Sequence, residues 1–168
     1  MAGIITRLAT TADISAAAAV HIASCLDTYR EFVSEEVHRT VLPANLKAIW
    51  AAETLSDGDF VMLAEEAGMV VALATARDRQ VPYIDHFHVS PARKGQGIGR
   101  LLMRALIAEI LRRGQTSMYL DYIEGNAVAE GFYRAMGGEI GERIEGDLFG
   151  TPVRARTVTW PDLRVVMI

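Results

Sequence analysis

The stretch that decides the fold runs from Ile84 to Arg104 and reads IDHFHVSPARKGQGIGRLLMR. It begins with strand-forming residues, breaks at a Ser-Pro pair, and continues through the alternating glycines Gly95, Gly97 and Gly99 into an apolar helical pattern. Glycines let the backbone approach a ligand closely, and the first N–H groups of a helix are unpaired donors at the positive end of its dipole. The stretch therefore predicts a site for a phosphorylated ligand.

Composition and charge limit the classes of protein to which the chain can belong. The chain has 168 residues, of which 51% are apolar and 23% are charged, and these values are typical of one globular domain. A net charge of −4 argues against a nucleic-acid partner held by bulk charge. No signal-peptide pattern begins the chain, and no apolar run approaches the roughly 20 residues that span a bilayer. Cys25, the single cysteine, excludes an internal disulfide and indicates a reducing compartment, so we expect one domain over residues 1–168, in the cytoplasm, with no membrane partner.

Apolar periodicity and turn signals predict the order β, α, α, β, β, β, α, β, α, β, β along the chain. A run of consecutive strands followed by helical crossovers implies a mixed α/β sheet with helices on both faces. The predicted strands cover residues 4–8, 60–65, 70–76, 83–89, 117–122, 139–144 and 153–160. The predicted helices cover residues 11–29, 34–55 with an interruption near Pro43, the segment from the glycines to the stop signal at Gly114, and 127–136.

Two common phosphate-binding motifs do not fit the glycine stretch. The dinucleotide fingerprint G-x-G-x-x-G would need a glycine at Arg100 or Leu102. The P-loop string G-x-x-x-x-G-K-[ST] does not occur. The pattern that remains is a basic residue followed by alternating glycines, KGQGIG at residues 94–99.

This pattern resembles the acetyl-CoA motif R/Q-x-x-G-x-G/A of the GNAT superfamily of N-acetyltransferases, with Lys94 where that family usually has Arg or Gln. The preceding V-x-P at residues 89–91 also matches, and so does a later block of the form N-x-x-A-x-x-F-Y at residues 126–133. The resemblance covers almost the whole chain. It implies a GNAT-type fold, with a central, mostly antiparallel mixed sheet of about seven strands that is splayed open between strands 4 and 5.

The resemblance also implies a function. The chain is expected to be an acetyl-CoA-dependent N-acetyltransferase that moves the acetyl group directly to a primary amine, with no acyl-enzyme. A small-molecule amine is the expected acceptor. Two alternatives stay open, namely a protein or peptide amine as the acceptor, and an acyl-CoA-binding module that has lost turnover. No metal is expected, and a homodimer is the commonest form of a soluble oligomer.

The cofactor site follows from the same resemblance. The backbone N–H groups of residues 94–99 are expected to hold the pyrophosphate, and the pantetheine arm is expected to lie in the gap beside strand 4. Arg100 is a candidate charged donor to a phosphate, and Asn126 is a candidate helix cap as well as a cofactor contact. The expected cofactor-binding residues are Phe87, His88, Val89, Lys94, Gly95, Gln96, Gly97, Ile98, Gly99, Arg100, Asn126, Ala129, Phe132 and Tyr133.

Acetyl transfer to an amine needs a base for the amine, a donor to the developing oxyanion and a proton for the leaving thiolate. By resemblance, the backbone N–H of Val89 is the oxyanion donor and Tyr133 is the acid. A tyrosine suits this step because its phenol, with an ordinary pKa of roughly 10, holds its proton at neutral pH. The alternative for Tyr133 is a packing role against the sheet.

The general base is left open by the sequence. Family members carry Glu or His six or four positions before the terminal valine of the strand, and those positions are Tyr83 and Asp85 here. Tyr83 departs from this pattern. Asp85 could equally bind a substrate cation or pair with an arginine.

Strand alternation bears on the choice of base. It places the odd-numbered residues of 83–89, Asp85 among them, on the face expected for the base, and it places His86 and His88 on the other face. A bulge in the strand would reverse this assignment. Asp85 is therefore the expected base, with His86, His88 and a water molecule as the alternatives.

His21 and Cys25 lie four residues apart on the first predicted helix. This spacing allows a pair of metal ligands or a nucleophile with its base. No third ligand or orienting acid is evident in the sequence. A packed helix face is therefore expected.

Overall fold

The structure is a computed structural model that describes residues 3–53 and 55–166. Its strands are β1 (Ile4–Leu8), β2 (Phe60–Glu66), β3 (Met69–Arg77), β4 (Tyr83–Val89), β5 (Met118–Ile123), β6 (Glu139–Leu148) and β7 (Thr151–Trp160). Its α-helices are α1 (Ile14–Thr28), α2 (Leu42–Ala51), α3 (Ile98–Arg112) and α4 (Ala127–Ala135). The strands form one sheet in the order β1-β2-β3-β4-β5-β7-β6. The predicted order of helices and strands is confirmed.

The sheet is antiparallel at every junction except that between β4 and β5, which run parallel. In the described part of the chain, these two strands pair at Tyr83 and Tyr119, near their amino-terminal ends. The Arg79 guanidinium closes this end, since it lies over the Tyr83 ring at 4.4 Å and donates to the Tyr119 hydroxyl at 3.0 Å. Towards their carboxyl ends β4 and β5 do not pair with each other, which confirms the predicted mixed sheet opened between strands 4 and 5.

Helices cover both faces of the sheet, as predicted. On one face, Ala17 and Val20 of α1 and Trp50 of α2 meet apolar side chains of β2 and β3. On the other face, α3 buries one apolar stripe in the main core, as expected of an amphipathic helix. That stripe consists of Ile98, Leu102, Met103, Leu106, Ile107 and Ile110. None of the described helices is long and apolar enough to cross a bilayer.

Two helical regions differ from the prediction in detail. A 3₁₀ turn, Thr11–Asp13, precedes α1, so the α-helix begins later than predicted. A π-helical turn, Val37–Val41, precedes α2, and Pro43 lies in the first turn of α2, which ends at Ala51. The π-helical turn runs directly into α2, since the Leu42 N–H donates to the Val37 carbonyl, so Pro43 lies within a continuous helical segment and removes one of its hydrogen bonds. The predicted interruption near Pro43 is therefore a change of helix type just before it.

Strand β4 carries a β-bulge. Thr75 of β3 pairs with His86, but the next residue, Ala76, pairs with Ile84, so Asp85 is an extra residue without a partner in β3. An extra residue of this kind shifts the alternation of side chains along the strand. Alternation is therefore continuous only from His86 onwards.

The bulge places Asp85 on a face that regular alternation does not predict. Phe87 and Val89 pack against the core under α3. The Asp85 carboxylate instead accepts a hydrogen bond from Arg77, which also binds Glu53 just after α2 on the opposite side of the sheet. The prediction that Asp85 shares the face of Phe87 and Val89 is therefore wrong.

Candidate active site

A cavity of about 870 Å³ opens where β4 and β5 separate. Its walls are the carboxyl half of β4, the glycine loop, β5 and the turn after it, α4, and the end of α1 with the loop that follows. Most of the predicted site residues line it, namely Asp85, Phe87, His88, Val89, Lys94, Gly95, Gly97, Gly99, Arg100, Asn126, Ala129, Phe132 and Tyr133. Of the other two, Ile98 is buried in the core, and the Gln96 amide donates to the Ala92 carbonyl. The Ile98 side chain is therefore out of reach of a ligand, and only its backbone is available.

The glycine loop forms a cradle at the start of α3. Gly95 and Gly97 have φ values of +76° and +81°, and Gly97 caps the helix. A Cβ at either position would meet no atom within 4 Å, so these glycines are required by backbone conformation and not by crowding. Gly99 is different, because a Cβ there would lie 3.2 Å from the Phe132 ring of α4. Together the glycines shape an anion site and bring α3 close to α4.

The basic side chains around the cradle differ in whether they already have an acidic partner. Lys94 donates to Asp27 at 2.6 Å, and Arg93 donates to Glu66 at 2.6 Å. Arg100 lines the cavity and forms no hydrogen bond or ion pair with any described residue. Arg100 is therefore the basic residue of the cradle that an incoming phosphate reaches without displacing a partner.

The backbone of β4 presents an open edge to the cavity. The Ser90 N–H donates to the Val71 carbonyl at 2.8 Å, so Val89 and its partner Ala72 form a non-hydrogen-bonded pair of the antiparallel ladder. In such a pair the N–H and C=O groups point away from the partner strand, so those of Val89 point into the gap towards β5. Phe87, two residues earlier, has the same orientation. The predicted oxyanion donor thus faces the cavity.

Tyr133 reaches the cavity from α4. Asn126 caps this helix, because its side chain accepts a hydrogen bond from the Ala129 N–H at 3.1 Å. The Tyr133 ring packs against Phe132 and Trp160, and its burial raises the pKa of the phenol above its usual value. No fully enclosed polar atom of a described side chain lacks a partner, and the Tyr133 hydroxyl has none, so it must open to the cavity. It is a neutral proton donor at the wall.

The Asp85 carboxylate is held by an ion-pair network. Arg77 donates to Asp85 at 2.9 Å, to Glu53 at 2.8 and 3.1 Å and to Asp59 at 3.4 Å. These carboxylates raise the pKa of the Arg77 guanidinium, which stays charged. The Asp85 carboxylate is therefore already paired with a cation.

His88 faces α1 and belongs to a group of neighbouring aromatic rings. Its Nδ1 lies 3.1 Å from the Ser24 hydroxyl, and its ring stacks on that of His21 with centroids 4.2 Å apart. The Trp50 indole N–H donates to Nδ1 of His21 at 2.9 Å. His86 lies beside them and contacts the Thr75 hydroxyl at 3.1 Å. Burial lowers the pKa of all three histidines, that of His88 to about 3.

The structure supplies the third group that the sequence did not show near His21 and Cys25. One potential ligand atom from each of His21, Cys25 and His88 lies within 4.8 Å of the others. The Trp50 N–H can only donate, however, so Nδ1 of His21 is an acceptor and the proton of the neutral ring lies on Nε2. Neither nitrogen then offers a metal a lone pair. Burial also raises the pKa of the Cys25 thiol to about 12.

A loop roofs part of the cavity. Phe32, in the segment between α1 and α2, lies against the turn after β5, because a Cβ at Gly125 would be 3.5 Å from its ring. The Tyr29 ring meets Phe32 edge to face at 6.4 Å. Tyr29 packs against the same small apolar cluster as Phe149, which lies at the tip of a β6–β7 hairpin longer than predicted. No motif marks these residues, since the contacts join segments far apart in sequence.

Comparison with known proteins identifies the family. A model of the acetyltransferase (GNAT) family matches residues 22–137. The chain therefore belongs to the GNAT acetyltransferase family, whose acetyl donor is acetyl-CoA. No curated protein matches the sequence.

Solved structures share the fold over nearly their whole length. A GCN5-related N-acetyltransferase from Rhodopseudomonas palustris is 23% identical, with 95% of this chain and 96% of that chain covered and a TM-score of 0.77. YncA from Salmonella typhimurium, solved with its cofactor acetyl-CoA, is 25% identical, with coverage of 96% and 94% and a TM-score of 0.71. A ribosomal-protein-alanine N-acetyltransferase from Brucella melitensis is 24% identical, with coverage of 93% and 98% and a TM-score of 0.68. The GNAT-type fold predicted from the sequence is confirmed.

Proposed function

We propose that the protein transfers the acetyl group of acetyl-CoA directly to a primary amine, and that residues 1–168 act as one such domain in the cytoplasm. One observation carries this proposal. A single cavity joins the glycine cradle, the Val89 N–H and the Tyr133 hydroxyl. These are the groups that hold a phosphorylated donor, stabilise an oxyanion and protonate a leaving thiolate. Cys25 is a free thiol, as is typical of proteins in a reducing compartment such as the cytoplasm.

The residues of the cavity fit acetyl-CoA. The N–H groups of residues 94–99 would hold its pyrophosphate, and Arg100 would pair with a phosphate. The backbone groups of Phe87 and Val89 that face the gap would hold its pantetheine arm by β-type hydrogen bonds. When bound, acetyl-CoA supplies the acetyl group as a thioester.

Protein groups stabilise each charge that develops during transfer. The Val89 N–H donates to the carbonyl oxygen as it gains negative charge, from a fixed position in a sheet. Tyr133 gives its phenolic proton to the leaving sulfur, and burial keeps that proton in place at neutral pH. Both groups act without a covalent bond to the protein.

Of the base candidates predicted from the sequence, two line the cavity. Asp85, the base expected from the sequence, lines the cavity but is held by Arg77 at 2.9 Å. His88 lines the same cavity and carries no counter-ion. Burial lowers the pKa of His88 to about 3, so His88 is a weak base, but its imidazole is uncharged at neutral pH and no ion pair has to be broken before it accepts a proton. We therefore assign this role to His88 and keep Asp85 as the second candidate.

The roof favours a small-molecule amine as the acceptor. Phe32 spans the gap to Gly125 and limits the width of what enters. A slender amine presented end-on fits such an opening better than a folded protein surface does. The alternative is a protein amine, which is favoured by the fold shared with a ribosomal-protein-alanine N-acetyltransferase.

A thiol-release assay tests the proposal. The protein is mixed with acetyl-CoA and a panel of linear amines, branched amines and peptides, and free thiol is measured against time. Amine-dependent release is expected, fastest with linear amines. Tight acetyl-CoA binding without release on any amine would instead support a binding module, and fastest release with peptides would support the protein acceptor.

A further inference from the structure

The histidines beside the cavity form an arrangement that packing alone does not require. His21 is only 4% exposed, and its ring contacts those of both His86 and His88, at 4.4 and 4.2 Å between centroids. Burying polar rings is unfavourable unless they are hydrogen-bonded, and aliphatic side chains fill such a space without that cost. The hydrogen bonds of these rings therefore offset the cost of burying them.

Trp50 fixes the state of His21. An indole N–H can only donate, so Nδ1 of His21 must be unprotonated to accept it at 2.9 Å. The single proton of the ring then lies on Nε2. A second proton would have to enter at Nδ1 and break the bond with Trp50, and burial opposes the charge as well. His21 is therefore held neutral in one tautomer.

His88 is held by different partners. Its Nδ1 lies 3.1 Å from the Ser24 hydroxyl, and Ser24 and His88 both line the cavity. When Nδ1–H donates to Ser24, Nε2 is left as the acceptor of the ring. The neutral His21 ring stacks on His88 at an interplanar angle of 29° and restricts its rotation.

We propose that His88 accepts the proton lost by the acceptor amine, and that His21 is a positioning residue that orients His88 and stays neutral beside it. This inference rests on the proposed function. As the C–N bond forms and the C–S bond breaks, one N–H proton passes to Nε2 of His88 and the phenolic proton of Tyr133 passes to sulfur. Return of the His88 proton to solvent and uptake of one by Tyr133 restore both residues.

The neutrality of His21 matters because of its distance from His88. A positive charge on a ring stacked at 4.2 Å would oppose a positive charge on His88. The remaining charges nearby are paired with each other, Arg77 with Asp85 and Glu53, and Lys94 with Asp27. The titratable and charged groups facing the His21 and His88 rings are Cys25 on α1, His86 on β4 and Lys94 in the glycine loop. Asp85, Arg77 and Glu53 face the neighbouring His86 ring.

Nuclear magnetic resonance of the free protein tests the state of the pair. Two-bond nitrogen–proton correlation spectra report the tautomer and charge of each histidine ring. We expect His21 to be the neutral Nε2–H form throughout about pH 5 to 8. Trp50→Phe keeps a ring and removes the N–H, so His21 should then populate both neutral tautomers, while burial still opposes a positive charge on the ring. A wild-type proton on Nδ1, or no change in the variant, would overturn the proposal.

Trp160→Phe is the matched control for these spectra. Its indole N–H is also buried and donates to a backbone carbonyl, that of Met136, at 2.9 Å. Removing it imposes a similar loss of packing and hydrogen bonding away from the histidines. The His21 signals should stay as in the wild type, and a change equal to that of Trp50→Phe would overturn the assigned cause.

Steady-state kinetics distinguish a positioning role of His21 from a purely structural one. With the best amine of the panel, His88→Gln should lower kcat about 100-fold or more while acetyl-CoA affinity measured by calorimetry changes little. Trp50→Phe, in which the neutral His21 ring has both tautomers, should lower kcat by a smaller factor than His88→Gln and leave the acetyl-CoA affinity unchanged. An unchanged kcat in Trp50→Phe, or a normal kcat in His88→Gln, would overturn the proposal. If no amine is acetylated, the proposed function fails, and the spectra decide the state of the pair separately.

Discussion

Replacing Tyr133 with phenylalanine removes one oxygen from the cavity wall and leaves the ring in place. The ring keeps its contacts with Phe132 and Trp160. The lost hydroxyl has no hydrogen-bond partner among the described residues. We therefore expect the free energy of unfolding to change by less than about 1 kcal/mol, the usual net contribution of one hydrogen bond.

The expected effect on the reaction is much larger. A positioned general acid contributes about 10²- to 10⁴-fold to rate, or about 2.7–5.4 kcal/mol of transition-state stabilisation. Tyr133 acts on the sulfur only as the C–S bond breaks, so the loss should fall on kcat and not on the affinity for acetyl-CoA. Burial raises the pKa of Tyr133, so the wild type should show no basic limb from this residue below about pH 10.

Thiol release measures kcat, calorimetry measures acetyl-CoA affinity, and thermal unfolding measures stability. Tyr122→Phe is the matched control, since Tyr122 is a second tyrosine in the cavity wall whose hydroxyl already donates to Glu130 at 2.8 Å. It should lose stability but little kcat. A Tyr133→Phe enzyme with unchanged kcat, or a loss no larger than that of Tyr122→Phe, would refute the acid role.

Three further predictions concern the cradle, the roof and an ion pair. Gly97→Ala should weaken acetyl-CoA binding in calorimetry by roughly 5- to 30-fold, because φ of +81° costs a non-glycine residue roughly 1–2 kcal/mol, so the free loop should relax from this conformation and binding has to restore it. Gly114→Ala, at φ of +85° beyond the other end of α3, should leave the affinity intact. Phe32→Ala should raise kcat/KM for branched amines over linear ones by about 10-fold, and unchanged selectivity in the amine panel would contradict the roof. Glu109→Gln should lower the unfolding free energy by about 1 kcal/mol at pH 7. Arginines hold the pKa of Glu109 at about 2, below its unfolded value, so this difference should vanish as pH falls from about 4.5 towards 2 in acid titrations, and a difference independent of pH would contradict it.

Local signals in the sequence were sufficient for most of the fold. Gly97, at the start of α3, and the apolar period that follows it specify a cradle and an amphipathic helix from neighbouring residues alone. Asn126 likewise predicts the start of α4 through its cap. These features depend on residues within one or two turns of each other, so the sequence contains the whole cause.

The bulge at Asp85 could not be predicted from neighbouring residues. Whether a strand accommodates an extra residue depends on its pairing with β3 and on the ion pair with Arg77, which are properties of the assembled sheet. The prediction for the faces of β4 therefore failed at Asp85. The later histidines of β4 do lie on the face opposite Phe87, as expected.

The surroundings of His88 were hidden for a related reason. Its ring meets His21 and Ser24 of α1, more than 60 positions earlier in the chain. Trp50, which donates to His21, belongs to a third segment, α2. No spacing rule connects these positions, so the sequence predicts only that His21 belongs to a packed helix face.

The most direct test of the account follows both products of the reaction. The protein is incubated with acetyl-CoA and the best linear amine, and mass spectrometry quantifies the N-acetylated amine beside the free coenzyme A thiol. Direct acetyl transfer to the amine predicts equal amounts of the two, with both absent when the amine is omitted. Thiol release without an acetylated amine, or neither product with any amine despite acetyl-CoA binding, would contradict it.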